Sequence, residues 1–148
     1  MPNDRRRGIP EPRLAPESKP VRFSFKHIEV ESEKFNYSKC SGEFYRRLFL
    51  CLRTFSTWSV ELFTDQNNNE HRHVIWFPET SELDGFANVP NIDPDQLGFH
   101  EAWQFSVCPD DPGNQWRVHG ILIDDTFFIV WLDPDHQLYP IQLGAAKG

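Results

Sequence analysis

A chain of 148 residues has the length of about one domain, and its net charge of −7 at pH 7 argues against broad, sequence-independent adhesion to nucleic acid, which needs many Lys and Arg contacts to phosphate, without excluding a small local basic site. Thirteen Phe, five Trp, three Tyr and twelve Pro suit strands, turns and large buried rings better than a helix bundle. The sequence has no run of about 18 apolar residues, so no membrane span is expected. Three cysteines, Cys40, Cys51 and Cys108, without a Cys-x-x-Cys spacing argue against a disulfide framework or a cysteine zinc site.

Residues 1–20 are rich in proline and charge and poor in apolar side chains, which predicts a disordered N-terminal tail. Arg5, Arg6 and Arg7 have no apolar stretch behind them, so no secretory signal is expected and the chain is assigned to the cytoplasm. Arg5, Arg6, Arg7, Arg13 and Lys19 outweigh Asp4, Glu11 and Glu17, giving the first nineteen residues +2 and leaving −9 for the rest. An acidic body of that kind suits a basic partner.

Beyond the tail, Val21, Phe23 and Phe25 alternate with Arg22, Ser24 and Lys26, the period of a half-buried strand. Phe44, Leu48, Cys51, Leu52 and Phe55 then recur at helical spacing and predict an amphipathic helix capped by Ser41. "STWSVELFTD" predicts a second short helix, capped by Ser56 or Thr57, before the loop "DQNNNE". "HRHVIWFP" reads as a strand stopped by Pro78. The irregular connection from Glu79 to Ala102 is long enough to be either mobile or functional. "WQFSV" is the next strand, and "CPDDPGNQ" its turn.

The last two strands flank Asp124-Asp125, a credible tight hairpin turn. Ile121 to Ile123 and Thr126 to Leu132 are apolar at nearly every position, as strands covered on both faces are. The expected fold is α+β: an antiparallel-rich sheet of four to five strands packed against two N-terminal helices, forming one domain over residues 21–142, with 143–148 a C-terminal tail.

Arg117 and His119 are two apart on one strand and so share a face, about 7 Å from one another. The hairpin sets His119 opposite Val130 and Arg117 opposite Leu132, with His136 and Tyr139 just past the strand end beside Arg117. Four polar groups thus converge on one end. A His or Tyr for proton transfer and an Arg for charge developing on phosphorus are what phosphodiester chemistry without a metal uses. Arg72 and His73 are expected to contact the substrate. His71 and His73, with Asp133 and Asp135, also form an acceptable metal-ligand pattern. The run Asp133-Pro134-Asp135-His136 is more simply a turn, and no metal or other cofactor is assigned.

The order strand, two helices, then a sheet ending in "RVHGILIDDTFFIVWLDPDHQLY" resembles the RelE/ParE superfamily of small bacterial toxins. The resemblance covers Val21 to about Tyr139. It implies a ribonuclease of the RelE type that cuts messenger RNA in the ribosome, with Arg117 on the scissile phosphate and His136 or Tyr139 as acid or base. A cognate antitoxin is then the expected protein partner. The chain differs from such toxins in its acidic body, its extra segment from Glu79 to Ala102 and the separation of His136 from Tyr139. The alternative expectation is a non-catalytic acidic interaction protein, an antitoxin, immunity or phage-defence component that binds a basic protein.

Overall fold

Residues 19–65, 71–89, 92–93, 101–111 and 113–139 are described by a computed structural model. The expected disordered tail lies outside them, except for Lys19 and Pro20, as does the expected tail at 143–148. Lys19 and Pro20 belong to the fold, since the Lys19 carbonyl accepts the Val60 amide and Pro20 bridges Ser59.

Helix α1, Gly42–Phe55, starts where the Ser41 side chain accepts the Phe44 amide, and it buries Phe44, Leu48, Cys51 and Phe55. Helix α2, Val60–Phe63, is capped by Ser59 rather than by Ser56 or Thr57. Those two residues close the preceding helix instead: the Ser56 amide donates to the Leu52 carbonyl, and the Thr57 hydroxyl to the Thr54 carbonyl.

Five strands, β1 (Arg22–Ser24), β2 (Arg72–Val74), β3 (Glu101–Ser106), β4 (Arg117–Ile123) and β5 (Thr126–Asp133), form one sheet in the order β1-β5-β4-β3-β2. All neighbours are antiparallel except β1 and β5, which run parallel. The fold is therefore α+β with a mostly antiparallel sheet, as the patterning predicts. The strand expected to run into Pro78 stops earlier, at Val74, because Phe77–Glu79 coils into a 3-10 turn around the proline. No helix among the described residues is long and apolar enough to cross a membrane.

Both faces of the central strands are covered, by different means. On one face, Phe44, Leu48, Phe55 and Phe63 from the helices pack on Trp103, Phe105, Val118, Phe127 and Ile129 from the sheet. Each fully buried ring or aliphatic side chain in such a layer contributes roughly 1.5–3 kcal/mol. On the other face no α-helix among the described residues is involved. Phe35, Ile75, Phe86, Val89, Ile92 and Leu138, all from irregular segments, pack on Ile121, Val130 and Trp131. The described part of the Glu79 to Ala102 connection thus serves as a cover for the sheet.

The hairpin pairs Ile123 with Thr126 around Asp124-Asp125, and Asp124 takes the left-handed φ of 57° that an Asp tolerates better than most residues. Pairing stays regular as far as Gly120 with Ile129 and then slips by one residue. Val130 is the extra residue of a β-bulge, and both it and Trp131 point into the loop-covered layer. His119 therefore lies opposite Trp131, and Arg117 opposite Asp133, which corrects the expected partners Val130 and Leu132. The bulge also reverses the parity of the strand end, turning Leu132 to the helices and Asp133 to the side of His119.

Candidate functional site

At the strand end beyond the bulge, His71, His73, Gln104, Ser106, Arg117, His136 and Tyr139 line a polar pocket of about 200 Å³. The sheet positions most of them. Gln104 and Ser106 are alternate residues of β3 on the loop-covered face, with His73 paired to Gln104 and Arg117 to Ser106. The pocket brings together five of the residues singled out in the sequence: Arg117, His136, Tyr139, His73 and His71. Of the expected catalytic and substrate-contacting residues, His119 and Arg72 do not line it.

Arg117 is half-buried, and its Nη1 donates to the carbonyls of Asn114 and Trp116 at 3.0 Å and, more loosely, to Ser106 Oγ at 3.4 Å. Burial pulls its guanidinium below the usual arginine value, while the nearby Asp133 acts the other way. An arginine titrates so far above neutrality that the charge is kept. The result is a fixed cation at the pocket wall.

His136 sits in a left-handed conformation, φ 57°, in the turn after β5. Its Nδ1 lies 2.6 Å from the Tyr139 carbonyl, an acceptor only, so Nδ1 carries a proton and Nε2 is the ring nitrogen left outside that bond. Tyr139 is held by its oxygen, which accepts the Trp76 amide at 3.2 Å. Burial raises the Tyr139 phenol above its ordinary value and Glu79 adds to this, against the lowering effect of the Trp76 amide. Tyr139 is accordingly a proton donor at neutral pH. His73 donates from Nδ1 to the Val74 carbonyl and accepts from the Gln104 amide at 2.9 Å, which fixes its tautomer as well.

His119 is fully buried and cannot touch a substrate. Its Nε2 lies 2.9 Å from Asp133 Oδ2, and the same carboxylate accepts the amides of Gln137 and Leu138. Asp133 thereby ties β4 to the turn that carries His136 and leads to Tyr139. His119 and Asp133 position the pocket. Arg72, also buried, faces the helices: its Nε donates to the Phe63 carbonyl at 2.8 Å and its guanidinium lies 4.9 Å from the centre of the Trp58 ring. Arg72 secures the end of α2 to the sheet, which places it away from any substrate in the polar pocket.

Sequence reasoning overlooked Gln104 and Ser106, though a polar residue on either side of Phe105 marked the face opposite the aromatic layer. It read Asp133 as a turn residue and missed its tie to His119. Gly120, an isolated glycine in an apolar strand, was the available sign of a bulge. Among the described residues no group of three or more His, Cys, Asp or Glu side chains is arranged to hold a metal ion.

The pair also makes stability depend on pH. Burial lowers the His119 pKa from its ordinary 6.5, more strongly than its bond to Asp133 raises it, so the folded imidazole is neutral. Burial acts to raise the Asp133 carboxyl, but the hydrogen bonds from His119, Gln137 and Leu138 outweigh it and hold the group below 3.8. In both cases the unfolded chain takes up the proton first as pH falls. The His119 contribution is complete above about pH 6.5 and is lost below it, and that of Asp133 is lost only below about pH 4. The melting temperature of the wild type is expected to fall between pH 7 and pH 5, and that of His119→Gln to fall distinctly less. Parallel profiles would contradict this assignment.

Comparison of the chain with protein-family models, with curated proteins and with solved structures found no match. Fold and site together define a small α+β protein with an arginine- and histidine-lined pocket at one end of its central hairpin.

Proposed function

We propose that this chain is a metal-independent ribonuclease of the RelE type, acting in the cytoplasm on RNA or on messenger RNA in the ribosome and restrained by a cognate antitoxin. The observation that carries the reading is the meeting of Arg117, His136 and Tyr139 in one pocket, with the His136 proton committed to a backbone carbonyl. Further support comes from the order of elements, strand, two helices and then the sheet, on which the resemblance rests.

In this reading a ribose 2′-hydroxyl attacks the adjacent phosphorus and gives its proton to His136 Nε2. The bond from phosphorus to the 5′ oxygen breaks, and Tyr139 protonates the departing oxygen. Arg117 stabilises the negative charge gathered on the phosphoryl oxygens in between. The products are a 2′,3′-cyclic phosphate and a 5′-hydroxyl end. His73, held in one tautomer by Gln104, binds the substrate beside the reacting group.

Expression in a bacterial host is expected to arrest growth, and Arg117→Ala combined with His136→Ala to relieve the arrest. Each single change is expected to slow RNA cleavage by the purified chain by about a hundredfold or more. A wild-type chain that neither slows growth nor cleaves RNA, free or on ribosomes, would refute the reading.

A further inference from the structure

The loop-covered face carries a second concavity, separate from the polar pocket and of the opposite character. Val74, Ile75, Trp76, Phe77, Phe86 and Ile121 are among the residues that line an apolar groove of about 350 Å³. It lies beside β2, the last strand in the sheet order. Trp76 is 62% exposed and Val74 40%, so large apolar surface faces solvent at its wall. The polar residues Asp84 and Glu101 also line the groove, and both are exposed.

The two charged residues that line this groove, Asp84 and Glu101, are both acidic. Lys34, which reaches the neighbouring loop from another segment, is already held by Glu82 and Ser81, each at 2.7 Å. An apolar hollow with an exposed Trp and an acidic rim selects its occupant by chemistry. A bulky side chain fills the hollow, and cations beside it meet Asp84 and Glu101. Nucleic acid is repelled by the same rim, and an acidic peptide likewise.

The geometry points to a docking site for a protein segment that carries an aromatic or branched aliphatic anchor flanked by Lys or Arg. This surface is independent of the chemistry assigned to the polar pocket, but the two are joined through one residue. The backbone amide of Trp76, in the groove wall, is the group that holds the Tyr139 phenol. A segment seated against Trp76 therefore also bears on the position of Tyr139.

The test is selection of a random-peptide library displayed on phage against the full chain, followed by titration of the winning peptide. The expected winners carry an apolar anchor between basic residues. Asp84→Asn with Glu101→Gln is expected to weaken the winner about tenfold, Trp76→Ala more, and rising salt progressively. All these positions are exposed, so the variants should fold, and amide spectra check that they do. Winners without basic residues, binding unchanged in the Asp84 and Glu101 variant, or no enrichment at all would overturn the proposal. None of these outcomes depends on whether the polar pocket cleaves RNA.

Discussion

Asp133→Ala is expected to cost about 3–5 kcal/mol of stability and to dismantle the polar pocket. The carboxylate accepts from His119 Nε2 at 2.9 Å, from the Gln137 amide at 2.8 Å and from the Leu138 amide at 3.0 Å. Removing it leaves three donors without their acceptor where water has little access, and each such group costs about 1–3 kcal/mol. Asp133→Asn keeps one acceptor oxygen and is expected to cost less than half as much. Urea unfolding measures both. A loss below about 1 kcal/mol for the alanine variant would mean that the turn is held by other contacts. Where enough folded protein survives, amide spectra should show the largest displacements at Gln137 and Leu138, next to His136 and Tyr139.

Gly120→Ala comes second, with an expected cost of about 3 kcal/mol or more. A methyl group at this position would run into the Phe128 carbonyl and the Phe127 ring, both on β5. Phe127 is fully buried between Phe23, Phe63 and Phe105, so it has nowhere to retreat. Neither can the Phe128 carbonyl move without shifting a strand that pairs on both sides. Thermal or urea denaturation decides the matter, and an alanine variant as stable as the wild type would show that the two strands can part at the bulge. The expected by-product is a disturbed register beyond it. That would separate Arg117 from Asp133 even in molecules that remain folded.

Much of this architecture was legible in the sequence wherever a short-range rule governs. The stripe Phe44, Leu48, Cys51 and Phe55 announces α1, because side chains three and four apart must share a helix face. Ser41 announces its start, because the first amides of a helix need an outside acceptor. The apolar runs on either side of Asp124-Asp125 announce a hairpin buried on both faces. In the site, Arg117, His136 and Tyr139 were found by residue type and by the closeness that a hairpin imposes on its ends, and His71 and His73 by residue type and their spacing on one strand.

Other features were settled only by contacts between distant segments. Nothing local makes β1 join β5 in parallel, a pairing across about one hundred residues of chain. The described part of the Glu79 to Ala102 connection covers a sheet face because Phe86 and Val89 find Trp131 and Val130 there. The decisive case is the bulge at Val130. By strict alternation Asp133 would point toward the helices, and His119 would lie unpaired in an apolar layer. One extra residue turns Asp133 to the other side and gives the buried His119 its partner. The sequence by itself determined that Arg117, His136 and Tyr139 meet at this end of the hairpin, since hydrophobic period and turn chemistry are local. Which of them face solvent and which are locked inside was decided by tertiary packing, because that depends on how Gly120 fits against the strand beside it.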